Sequence, residues 1–146
     1  MKKILVPVDG SAASQKAAAQ AFSLARKYGS EVVVFHASIE HDIDMYNKFG
    51  VVIDPDMSKL KNKLKESESK MLDSVIKNFD TAGIDLKKKI VSGVPYEEIL
   101  KEAEAGKYDL IVIGQRGYSK VKRFFVGSQT VRVISDAPCP VLVVHE

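Results

Sequence analysis

Near the amino terminus the chain reads Ile4-Leu5-Val6-Pro7-Val8-Asp9-Gly10-Ser11, an apolar run of strand length that ends on a carboxylate, a glycine and a hydroxyl. Its branched residues do not alternate with polar ones, which predicts a strand covered on both faces. Ser11 is suited to cap a following helix, and Ala18, Ala21, Phe22, Ala25 and Tyr28 then recur at helical spacing until Gly29 ends the run. Four more apolar runs follow, Glu31 to Ala37, Asp85 to Val91, Tyr108 to Ile113 and Pro140 to His145, each separated from the next by a helical pattern or a long connection. That alternation predicts an α/β fold: one parallel sheet with crossover helices. The Ile4, Val32 and Leu110 runs are expected to be central.

The second helix is expected to start near Asp56 or Ser58, with Leu60, Leu64, Met71, Val75 and Phe79 on one stripe and Gly83 beyond its end. Pro95 suits the first position of a third helix, where its missing N–H would have no partner anyway, with Ile99, Leu100 and Ala103 facing the sheet. A fourth helix follows Gly127, carries Val131, Val133 and Ile134, and stops before Pro138. Residues 38 to 57 form an unusually long connection, expected to be a lid, a partner surface or unstructured.

With 146 residues, the chain is expected to form one domain, residues 1–146, that buries roughly 70% of its unfolded surface. Its 22 basic and 19 acidic residues are scattered mostly as mixed-sign helix faces such as Lys59 to Lys70, so nucleic acid is not an expected partner. The pure run Lys87-Lys88-Lys89 reads as a solvated strand entrance. A single cysteine, Cys139, cannot close an intramolecular disulfide and reads as an inert thiol. The lysines at 2 and 3 lead into a strand, not a signal-peptide core, and no apolar stretch approaches the ~20 residues of a membrane span. A cytoplasmic protein without membrane association is the expectation.

Ligands of open α/β sheets collect at the carboxyl ends of strands, where strand order reverses. Two strand exits carry chemistry. The first is Pro7-Val8-Asp9-Gly10-Ser11. The second is Gly114-Gln115-Arg116-Gly117, followed after nine residues by Gly127-Ser128. Glycines at 114 and 117 are expected to bring backbone N–H groups close to an anion and to adopt positive φ as the chain leaves the sheet. Gly127-Ser128 repeats the offer at a helix start, where unpaired N–H groups and the macrodipole favour phosphate. Two such segments flanking one loop suit a polyphosphate. Arg116, Lys120, Lys122 and Arg123 lie on or between them and are either charge-neutralising groups or a solvated basic loop. Asp9 is suited to ribose hydroxyls, to magnesium through water, or to capping a helix. Ala37, at the exit of the second strand, offers backbone N–H and C=O that can pair with an adenine edge, and is equally read as a plain strand end.

Together the Ile4 to Ser11 opening, the Gly-x2-Gly-x9-Gly-Ser stretch from Gly114 to Ser128, and the terminal Cys139-Pro140-Val141-Leu142-Val143-Val144 resemble the universal stress protein family over the whole chain. The resemblance implies a Rossmann-like, open five-stranded parallel sheet in order 3-2-1-4-5 with helices on both faces, and bound ATP, with or without magnesium. By the same resemblance Pro7, Val8 and Asp9 border adenine and ribose, and Ala37 meets adenine through its backbone. Gly114, Gly117, Gly127 and Ser128 hold ribose and phosphates, with Gln129 and Thr130 lining the phosphate end. Gln129 departs from the small apolar residue frequent there, so its amide either adds a phosphate contact or crowds it.

Other nucleotide motifs are excluded: Asp9 to Ser14 contains one glycine where a dinucleotide fingerprint needs Gly-x-Gly-x-x-Gly, and no Gly-Lys-Ser/Thr loop exists. The third strand exits as Val91-Ser92-Gly93, without the aspartate of a phosphoacceptor receiver. His36, His41 and His145 show no metal spacing, so no metal ligand is assigned. No catalytic residue is assigned either. The function expected is an ATP-binding regulatory or stress-response protein in which nucleotide occupancy orders the 115–126 loop and alters a surface seen by partners. A slow ATP hydrolase or nucleotidyl-transfer enzyme, and a nucleotide-independent interaction module, are the rival readings. An apolar last strand at a sheet edge predicts a homodimer.

Overall fold

The structure, a computed structural model, describes residues 1–38, 40–50, 56–116 and 127–145. Strands β1 (Lys3–Pro7), β2 (Glu31–Ser38), β3 (Leu86–Ser92), β4 (Leu110–Gly114) and β5 (Val141–Val144) form one parallel sheet in the order β3-β2-β1-β4-β5. Helices α1 (Ala12–Tyr28), α2 (Glu40–Lys48), α3 (Met57–Lys77), α4 (Pro95–Ala105) and α5 (Ser128–Asp136) accompany it. The expected topology is therefore the observed one. Ile4 stands opposite Val32 on one side and Leu110 on the other, so the three runs expected at the centre are central.

Strand alternation divides the core in two. Ile4, Val6, Val32, Val34 and Val112 face α1 and α3, meeting Ala17, Ala18, Ala21, Phe22, Leu72 and Val75. Leu5, Val33, Phe35, Ile111 and Ile113 face the opposite way, toward Ile99 and Ala103 of α4 and Val133 of α5. Full burial of side chains such as Ile4, Leu5 and Phe35 contributes about 1.5–3 kcal/mol each, the main force holding helices to sheet. The alanine stripe of α1 lets that helix lie close to the strands.

Several local expectations are met by specific bonds. Ser11 caps α1 by accepting from the Ser14 N–H, Gly29 ends it in the left-handed region, and Pro95 opens α4. Other features depart from expectation or add to it. The 38–57 connection contains α2, a helix anchored by the buried Ile43. Of the apolar residues of α5 only Val133 is buried, beside the buried Thr130, with Val131 and Ile134 left 47% and 46% exposed because the short helix turns one narrow stripe to the sheet. Tyr28 is also exposed, at the last turn of α1. The three lysines lie within β3 and not at its entrance, and each meets an acid: Lys87 with Glu31, Lys88 with Asp73 and Lys89 with Glu102. No helix among the described residues is long and apolar enough to cross a membrane.

Candidate functional site

Strand order reverses between β1 and β4, whose neighbours lie on opposite sides, and there a cleft of about 150 Å³ opens at the carboxyl ends of the strands. Pro7, Val8, Asp9, Ala37, Gly114, Arg116, Gln129 and Thr130 line it, so residues far apart in sequence are brought together. Gly127 and Ser128 stand at its margin as the N-cap and first residue of α5. Gly117, like Lys120, Lys122 and Arg123, lies outside the described residues.

Each wall has its own chemistry. Asp9 folds back so that its Oδ1 accepts the Ser11 N–H at 2.9 Å, which fixes the carboxylate at the mouth of the cleft. Gly10 adopts φ 83°, the conformation that turns the chain from β1 into α1. The α1 terminus is satisfied locally through Ser11 and Ser14. The α5 terminus differs: its N-cap is a glycine with no side-chain cap bond, so first-turn N–H groups are left to an outside acceptor. Thr130 Oγ1 donates to the Gly114 carbonyl at 3.0 Å, and the Gly127 N–H donates to the Gln115 carbonyl at 2.8 Å. These two bonds fasten the helix start to the β4 exit.

Ala37 is oriented by strand parity. Val32 donates to Asp85 beside β3, whereas Phe35 accepts from Val8 beside β1, so the odd-numbered residues of β2 turn their backbone groups toward β1. Ala37 therefore directs both N–H and C=O into the gap between the ends of β1 and β2, where the cleft lies.

Two site expectations change in their physical basis. Gly114 is not among the glycines with positive φ. A Cβ there would stand 2.8 Å from the Ala13 carbonyl carbon and 2.9 Å from its Cβ, so close approach of α1 to β4 demands the glycine. Gln129 also ties two helices together: its Oε1 accepts the Tyr96 N–H at 3.0 Å, supplying from α5 the cap that Val94 cannot give α4. Arg132, one turn on, stacks over the Tyr96 ring at 4.6 Å.

Phe35, His36, Ser14, Pro95, Ile99 and Ile113 also line the cleft and were not among the expected site residues. His36 was the detectable one, being the ring nitrogen donor in an otherwise apolar run. Cys139 is half-buried, and burial first, with the nearby Asp109 charge, raises its pKa, which favours the unreactive thiol.

An open, doubly wound α/β sheet with a largely apolar cleft at its switch point is the class that this architecture defines. The universal stress protein family model matches residues 1–145. The chain belongs to that family. A universal stress protein of Methanocaldococcus jannaschii, MJ0531, is 35% identical over 145 residues, covering 99% of this chain and 82% of the relative. The solved structure of a second protein, MJ0577, superposes with TM-score 0.82 at 33% identity, covering 99% of this chain and 96% of that one. The fold is shared with a universal stress protein in complex with cAMP, at TM-score 0.63 and 20% identity, with 99% of this chain and 96% of that chain covered. It is shared also with an AMP-bound family member from Arabidopsis thaliana, at TM-score 0.62 and 17% identity, with 100% and 92% covered.

Proposed function

We propose that the chain binds an adenine nucleotide, ATP in particular, across the ends of β1 and β4 and acts as a nucleotide-responsive regulatory protein. One observation carries the reading: a single cleft gathers the backbone edge of Ala37, the carboxylate of Asp9 and the uncapped start of α5. Those are complements to a base edge, a ribose and a phosphate chain, in that order. The cAMP and AMP complexes of family members hold ligands built from those same three parts.

In this arrangement Pro7 and Val8 flank the base, and Asp9, its Oδ1 engaged by Ser11, presents the other oxygen to ribose hydroxyls. Ser128, Gln129 and Thr130 supply backbone N–H groups to the phosphates, with Gly114 and Gly127 keeping that path open and Arg116 adding charge. These are charge-stabilising donors, suited to holding a phosphate chain. Two copies pair through β5, whose apolar Val141–Val144 segment closes the sheet without a charged residue.

Calorimetric titration of ATP, with magnesium supplied, into nucleotide-free protein tests the binding. Saturable heat at one nucleotide per chain is expected, competed by AMP. No heat at millimolar ATP would reject the reading.

A further inference from the structure

The ladder between β1 and β2 stops abruptly at the mouth of the cleft. Its register runs from Lys3 opposite Glu31 to Pro7 opposite Phe35, and the Val8 N–H still donates to the Phe35 carbonyl at 2.8 Å. One further step of a parallel ladder would bring the Ala37 N–H onto the Val8 carbonyl. That bond is not made, and the Val8 carbonyl accepts from the His36 ring instead, with Nδ1 at 2.8 Å. A carbonyl only accepts, so Nδ1 bears the hydrogen.

The other ring nitrogen is held from behind. Nε2 lies 3.4 Å from Oε1 of Glu68, on the face of α3 turned to the sheet, and the two side chains are only 12% and 8% exposed. Glu68 Oε2 is buried without a hydrogen-bond partner. A buried polar pair of this kind is weak evidence of added stability. Its geometric effect is specific: it fixes the ring plane and aims Nδ1 at Val8.

We propose that His36, oriented by Glu68, is the positioning residue of the base slot: by occupying the Val8 carbonyl it keeps the Ala37 N–H and C=O open to a nucleobase edge. The ligand assignment rests on the nucleotide-binding reading above, whereas the geometry of the slot does not. Without the ring donor, the Ala37 N–H is free to continue the ladder onto Val8 and close the slot.

Backbone amide exchange followed by NMR on nucleotide-free protein tests this directly. In the unaltered chain Ala37 is expected to exchange about tenfold or more faster than Phe35, as for an amide lacking one hydrogen bond. Equal protection of the two amides would overturn the proposal without any variant. His36→Asn places an amide nitrogen where Nδ1 stands and should keep Ala37 fast and ATP affinity within about threefold. His36→Gln directs its donor toward Glu68, and should slow Ala37 exchange about tenfold and weaken ATP about tenfold, while leaving inorganic tripolyphosphate binding unchanged. Identical behaviour of the two variants would show a merely structural pair and defeat the assignment. If the unaltered chain binds no ATP, the nucleotide reading fails, and the exchange comparison still decides the role of His36.

Discussion

Replacing Gly114 by alanine separates two reasons for a glycine at the β4 exit. The added Cβ would meet the Ala13 carbonyl carbon at 2.8 Å, its Cβ at 2.9 Å and its oxygen at 3.0 Å. Carbon atoms pack at about 3.5–4.0 Å, so α1 or β4 must move by more than about half an ångström. The obstacle is backbone within a helix, which cannot rotate aside. Overpacking of this kind costs about 1–3 kcal/mol. At roughly 2–4 °C per kcal/mol for a domain of this size, the nucleotide-free Tm should fall by about 2–12 °C. Differential scanning calorimetry on the empty protein measures it. Were the glycine needed only for ligand approach, alanine would leave Tm unchanged or raise it slightly by restricting the unfolded chain, and only ATP affinity would suffer. A Tm within about 1 °C of the parent would refute the packing argument.

Two further predictions concern the start of the central strands and the β5 edge. The Lys2 and Lys3 N–H groups donate to Asp109 Oδ2 at 2.6 and 2.9 Å and hold its carboxyl below the ordinary carboxylate range. A depressed folded pKa gives stability that is full above the unfolded value of 3.8 and is lost as pH falls through the folded one. Asp109→Asn should therefore lower Tm at neutral pH, with the gap to the parent closing on acidification below the ordinary carboxylate range; a gap constant with pH would contradict it. Sedimentation velocity at micromolar concentration should show a species of twice the chain mass, and a monomer alone would reject pairing through β5.

Much of this fold is legible because its signals are local and redundant. The β1 exit announces itself through Asp9-Gly10-Ser11, and the α4 start through Pro95, since each residue type matches a backbone need at its own position. The helix α2 is not legible: Glu40–Lys48 has no wide apolar stripe, and Ile43 is the buried anchor identified on it. Contacts made across the fold leave no local trace. Nothing near Gln129 reveals that Tyr96 lies beside it, and Glu68 looks like any solvated acid of the Lys59 to Lys70 face until α3 is laid on β2. The packing reason for Gly114 is not legible either, because the approach of Ala13 depends on how α1 crosses the sheet.

The two outer strands are dressed unlike one another. Three consecutive positions along β3 carry charge: Lys87, Lys88 and Lys89 are exposed and tied to acids on β2, α3 and α4. A newcomer strand would have to disrupt those ties before it docked, whereas Val141–Val144 asks for no such disruption. A ribbon that can lengthen on one side only, joined to a copy of itself, uses up its single growing end. Under the proposed pairing through β5, association through the sheet would stop at two copies.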